Sequence, residues 1–199
     1  MSSTAAPFGL RPVGSLGGTY NGSFRQYPIL STYSTRIAFG DVVKLADGGT
    51  TTTIEKDTGT TSATPIGIFL GCSYTDVSTS QLSFNQQWSG AAHTNGMAYV
   101  CDDPNVLFEI QADGTCNDDD LGANAAIVQG TPDSTLGISR VSLDISTAAN
   151  TASLPLRIVD WRGGFTGDEH GTSFPIMVCK WNTGHMLGIG VVSGAAPSN

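Results

Sequence analysis

The apolar residues of this chain come in short runs, and turn residues cut them apart. The most apolar stretch, P-I-G-I-F-L-G-C-S-Y at 65–74, is too short for a core helix and is punctuated by Gly67 and Gly71. V-L-F-E-I-Q-A at 106–112 alternates in the period of a strand and stops at Asp113-Gly114. L-P-L-R-I-V-D-W at 154–161 and F-P-I-M-V-C-K-W at 174–181 are two further strands, each closed by a tryptophan. Segments of this kind bury a face only by pairing with one another. The chain is therefore expected to be all-β.

The remaining runs fit the same plan. F-R-Q-Y-P-I-L at 24–30 alternates loosely, and R-I-A-F-G-D-V-V-K-L at 36–45 reads as a bent strand pair with Gly40 at the bend. A-D-G-G-T at 46–50 is a turn, and 57–64 is a loop rich in Thr, Gly and Ser. Strands follow at 81–88 and 97–101, separated by a loop holding the turn dipeptide Asn95-Gly96. Residues 121–129 suit a strand or a short helix, and the apolar positions of 138–145 share one face only if a bulge intervenes. About ten short strands at this spacing imply a compact β-sandwich or β-barrel. No repeat of solenoid or propeller length is visible.

Charge supports the same class and narrows the partners. Charged residues make up 13% of the chain, about half the usual ~25%, whereas long surface helices need many of them. Acidic residues number 17 against nine basic ones, a net charge of −8. Nucleic acid and anionic membranes are excluded as expected partners, since both are held by clustered Lys and Arg. No apolar run approaches the ~20 residues that span a bilayer. The N-terminal residues lack a basic and then apolar secretory pattern, so folding in a cytoplasm is expected.

Three regions are expected along the chain: an extended N-terminal arm at 1–23, a single β domain at 24–187, and a loose tail at 188–199. Five glycines and two prolines interrupt the arm. Its Phe8, Leu10, Val13 and Leu16 are too sparse for a core strand, and a solvated arm has no need of Phe8 and Leu10. The arm is therefore expected to dock on a partner through Phe8, Leu10, Arg11 and Val13, with a disordered terminus as the alternative, and its removal is expected to leave a folded domain.

No catalytic, cofactor-binding or metal-binding residue is assigned. Asp102, Asp103, Asp113 and the run Asn117 to Asp120 form the densest acidic region, but the spacing fails the calcium-loop pattern. His93, His170 and His185 form no metal-binding helix motif, although Asp168 and Glu169 precede His170. Cys72, Cys101, Cys116 and Cys179 include no C-x-x-C and are expected to be free thiols. The nucleophile elbow and the P-loop are absent.

Several segments carry a resemblance. P-F-G-L-R-P-V-G-S-L-G-G-T-Y-N-G (7–22), F-G-D-V-V-K-L-A-D-G (39–48), P-I-G-I-F-L-G-C-S-Y-T-D (65–76), A-Y-V-C-D-D-P-N-V-L-F-E-I-Q-A-D-G (98–114) and L-R-I-V-D-W (156–161) stand in order over most of the chain. Together they resemble a family of virion proteins of tailed bacteriophages, encoded near the major capsid protein and taken to be head decoration or cement proteins. The resemblance implies a non-enzymatic structural protein on the capsid exterior that needs no cofactor. Its partner would be the major capsid protein, and self-association as a trimer about a local three-fold is expected. The alternative is a carbohydrate- or receptor-binding β-module of a tail or fibre, with Trp88, Trp161, Trp181 and exposed tyrosines as stacking platforms.

Overall fold

In a computed structural model of the chain, residues 4–46, 53–182 and 185 are described. The expected tail at 188–199 lies outside them, as does most of the 46–50 turn. The first strands are β1 (Arg11–Ser15), β2 (Gly18–Thr19), β3 (Arg25–Pro28), β4 (Ile37–Ala38) and β5 (Val42–Leu45). Next come β6 (Ile54–Lys56), β7 (Gly67–Thr75), β8 (Leu82–Asn85), β9 (Gln87–Trp88) and β10 (Thr94–Cys101). The last are β11 (Val106–Gln111), β12 (Asn124–Val128), β13 (Ser142–Ala149), β14 (Leu156–Trp161) and β15 (Ile176–Trp181). The only helical element among the described residues is a 3-10 turn at Asp118–Asp120. The fold is all-β.

The strands form two large antiparallel sheets and one small ladder. The seven-stranded sheet runs β13-β12-β14-β15-β11-β1-β2. The six-stranded sheet runs β3-β10-β7-β5-β6, with β8 also paired to β7. Their inner faces share one core, in which Val42, Ile68 and Cys101 of the six-stranded sheet meet Phe108, Ile127, Leu143, Ile158 and Met177 of the other. A second core covers the opposite face of the six-stranded sheet, where Val43, Phe69, Tyr74 and Val100 pack with Trp88 and Ile37 of the β4–β9 ladder. Much of β7 is thus buried on both faces, which is why 65–74 reads as a nearly continuous apolar run.

A bulge in β7 decides which of its side chains enters which core. Tyr99 pairs with Gly71 and Val100 with Phe69, leaving Leu70 without an opposite residue. Gly71 adopts φ +146° there, a conformation that suits glycine. Beyond the bulge the phase of the strand is reversed, so Phe69, Cys72 and Tyr74 all reach the second core.

The N-terminal segment is extended, but it is part of the domain. Strand β1 pairs with β11 in the middle of the chain, and β2 completes that edge. Leu10 is 0% exposed and belongs to the first core. Its N–H donates to the Gly40 carbonyl at 3.0 Å, and the Gly9 N–H donates to Val141 at 3.1 Å. Gly9 (φ +78°) makes this approach possible, since a Cβ there would lie 2.5 Å from the Gly40 oxygen. The reading of 1–23 as an arm separate from a 24–187 domain, removable without loss of the fold, is corrected accordingly. One buried leucine and a backbone ladder suffice to seat a Gly- and Pro-rich segment.

One local expectation changes, and one left open is decided. Asn95 and Gly96 lie inside β10, at a bulge between Thr94 and Met97, with Asn95 at φ 55°. A Cβ on Gly96 would sit 2.8 Å from the Trp88 indole, so this glycine makes room for the second core. Within 121–129, Asn124–Val128 is strand β12, paired with β13 and β14.

Candidate interaction surfaces

Most of the residues that could carry chemistry are committed to holding the fold. The four cysteines are free and buried. Burial pushes the Cys72 and Cys116 thiols up to about 12 and raises those of Cys101 and Cys179 as well, so none is a ready nucleophile at neutral pH. Glu169 is buried, accepting from Arg162 at 2.7 Å and from the Ile176 N–H at 3.0 Å, while its neighbour Asp168 is exposed. Asp41 and Lys56 form a buried ion pair at 3.0 Å, and Asp41 also accepts from the Ser139 hydroxyl at 2.6 Å and the Ala38 N–H at 2.8 Å.

The acidic region ties loops together. Asp102 accepts from the Tyr27 hydroxyl at 2.7 Å and pairs with Arg25. Asp113 accepts from the Ile145 N–H, and Asp120 caps its own turn at Asn117. Asp118 meets the His170 ring at 2.8 Å across a shallow cleft of about 490 Å³, lined also by Thr115, Cys116 and Asp119. Among the described residues no three His, Cys, Asp or Glu side chains are placed to share a metal ion. His93 lies in the second core, stacked on Tyr74 with centroids 3.9 Å apart, and His185 contacts the carbonyls of Ala63 and Ser153. No described helix is long and apolar enough to cross a membrane.

The three tryptophans are buried. Trp88 and Trp181 belong to the two cores, and Trp161 packs in the first core with Phe165 and His170 edge-on. None of the three presents a ring to a sugar, so the tryptophans do not supply stacking platforms.

The four expected contact residues of the N-terminal segment divide. Leu10 is wholly internal and cannot touch a partner. Phe8 is half-buried, with the Arg11 guanidinium 4.7 Å from its ring centroid, a cation–π contact between the start of β1 and the residues before it. Val13 is 39% exposed and Leu16, at the β1–β2 turn, is 57% exposed. Three of the four, joined by Leu16, thus form an accessible ridge at one edge of the seven-stranded sheet.

A second accessible surface was not singled out from the sequence. The inner face of the six-stranded sheet runs out from under its partner along β10: Cys101 is in the first core, whereas Tyr99 and Met97 on the same face are only partly buried. At Met97 the register aligns Pro28, Met97, Ser73 and Phe84 straight across β3, β10, β7 and β8. Residues opposite one another in this way share a face. Phe84 is 71% exposed and Leu82, two residues earlier on the same side of β8, is 62% exposed. The alternation in L-S-F-N marks a strand, but only pairing reveals that β8 is an edge whose apolar side faces outward.

No protein-family model, no curated protein and no solved structure matches the chain.

Proposed function

We propose that the chain is a non-enzymatic structural protein of a tailed-phage particle, which binds the outside of the capsid and stabilises it. Its partner in this reading is the major capsid protein, and it acts as a homo-oligomer, a trimer about a local three-fold of the lattice. One observation carries the reading. Apolar side chains stand exposed at the edges of both large sheets, Val13 and Leu16 at one and Leu82 and Phe84 at the other, on a body with 17 acidic residues. A protein whose work is adhesion to a shell needs a stiff body, surfaces free of like-charge repulsion, and many repeated contacts that add by avidity. The segments quoted for the resemblance, one of which includes β1 and β2, point the same way.

The ridge at β1 and β2 is the surface assigned to the capsid. Deleting residues 1–20 is a poor test, because it also removes Leu10 from the core. Val13→Asp with Leu16→Asp adds two charges to accessible positions and leaves the interior intact. Added to phage heads assembled without the chain, the wild type is expected to bind in hundreds of copies and the double variant to bind weakly or not at all. Equal occupancy by both proteins, or only a handful of wild-type copies per native particle, would defeat the proposal.

A further inference from the structure

We infer that the uncovered face at the β7–β8 hairpin is where one copy of this chain meets another. The inference deepens the preceding reading, which supplies the homo-oligomer but not its contact surface.

Three features of the face select a second copy. The first is its chemistry. The row Pro28, Met97, Ser73 and Phe84, with Leu82 beside Phe84, carries no charge on a chain of net charge −8. Another molecule of the same charge is repelled by most of this protein's surface and can close on it at such a face. A basic partner would gain nothing here.

The second is the edge itself. Among the described residues, strand β8 pairs only with β7, so its other side presents unpaired backbone groups. Edge strands are ordinarily guarded by Lys, Pro, a bulge or a covering loop. L-S-F-N has no charge and no proline, and its register with β7 is unbroken. Such an edge is tolerable in a protein that covers it on assembly.

The third is extent and stiffness. With ~190 Å² for a fully exposed large apolar side chain, Leu82 and Phe84, 62% and 71% exposed, together present roughly 250 Å². Met97 and Pro28, partly buried in the same row, extend this surface, which supplies the apolar centre of an interface of ~800 Å² per side. The hairpin that carries it is already ordered. Asp76 accepts from the Ser78 N–H at 2.8 Å and the Ser78 hydroxyl at 2.5 Å, and its carbonyl accepts from Ser80 at 2.8 Å. Phe24 is fixed edge-on to Tyr99 with centroids 5.2 Å apart. Little ordering remains to oppose association. Phe84 and Leu82 of neighbouring copies meet around the symmetry axis.

The test uses the purified chain without capsids. Light scattering on eluting protein is expected to give a defined dimer or trimer for the wild type, and monomer for Leu82→Ser with Phe84→Ser. The double variant should raise the dissociation constant about a hundredfold or more, as for loss of two central apolar anchors. Both side chains are surface groups, so circular dichroism should not change. Phe84→Cys gives an independent reading, since the native thiols are buried: mild oxidation should join two chains far faster than for a Val13→Cys control. Three results would overturn the inference: a wild type still monomeric at about 100 µM, an oligomer that survives the double substitution, or a Phe84→Cys variant that cross-links no faster than the control. An intact oligomer in the double variant condemns this surface alone, whereas failure of the wild type to decorate heads condemns the capsid reading.

Discussion

Leu10→Ala separates a detached arm from an integral strand. The side chain is 0% exposed, in the core shared by both large sheets. Truncation to alanine removes three carbons, worth about 2.5 kcal/mol at ~0.8 kcal/mol for each buried methylene. The cavity left behind adds to this, because the site cannot collapse easily. Gly9 and Gly40 lock the backbone on either side, with the Leu10 N–H 3.0 Å and the Gly9 N–H 3.1 Å from their acceptors. The total is about 3–4 kcal/mol, inside the range of about 2–5 kcal/mol for buried leucines. At ~2–4 °C per kcal/mol for a chain of this size, the melting temperature should fall by about 10 °C. Urea unfolding followed by circular dichroism and tryptophan fluorescence gives the free energy directly. Val13→Ala, at a position 39% exposed, is the control and should stay within about 0.5 kcal/mol of wild type. If Leu10→Ala is as stable as that control, the seating of the N-terminal segment in the core is wrong.

Two further outcomes follow from buried polar groups. Lys56→Met should cost about 3 kcal/mol in urea unfolding, because it takes the cation from a carboxyl group that is 0% exposed and leaves it the Ala38 N–H and the Ser139 hydroxyl among the described residues; Asp41→Asn in the same chain should restore part of the loss. The cysteines make stability fall in alkali: their folded-state values lie above the ordinary 9.0, so their contribution is complete below pH 9 and is lost as the pH rises towards the folded value of about 12 for Cys72 and Cys116. Thiol titration at about pH 8, below the ordinary thiol value, should accordingly detect none of the four in the native protein and all of them in guanidinium, and rapid native labelling would contradict their burial.

Much of the scaffold was legible from residues alone. The alternation at 106–112, the two tryptophan-closed runs and the glycine-cut stretch at 65–74 each became a strand, because side-chain period and turn chemistry are local properties of the backbone. The bend at Gly40 was legible for the same reason; the residue adopts φ +88°. Asn95-Gly96 shows the limit. The dipeptide favours a left-handed conformation wherever it stands, and here that preference makes a bulge inside β10 where a loop was expected.

The surfaces were less legible. Phe8, Arg11 and Val13 are accessible while Leu10 is buried, a split that depends on Gly40 and Val141, which lie 30 and 131 residues away in the chain. The outward face at Phe84 depends on which strands the seven-stranded sheet leaves uncovered.

The amino-acid sequence by itself determined the class of fold, the sites of most strands and the acidic, charge-poor surface, since each follows from residue type and near neighbours. Tertiary structure alone decided which apolar residues became core and which became contact surface. Burial is a property of how distant strands pair, and Leu10 and Leu82 have the same side chain.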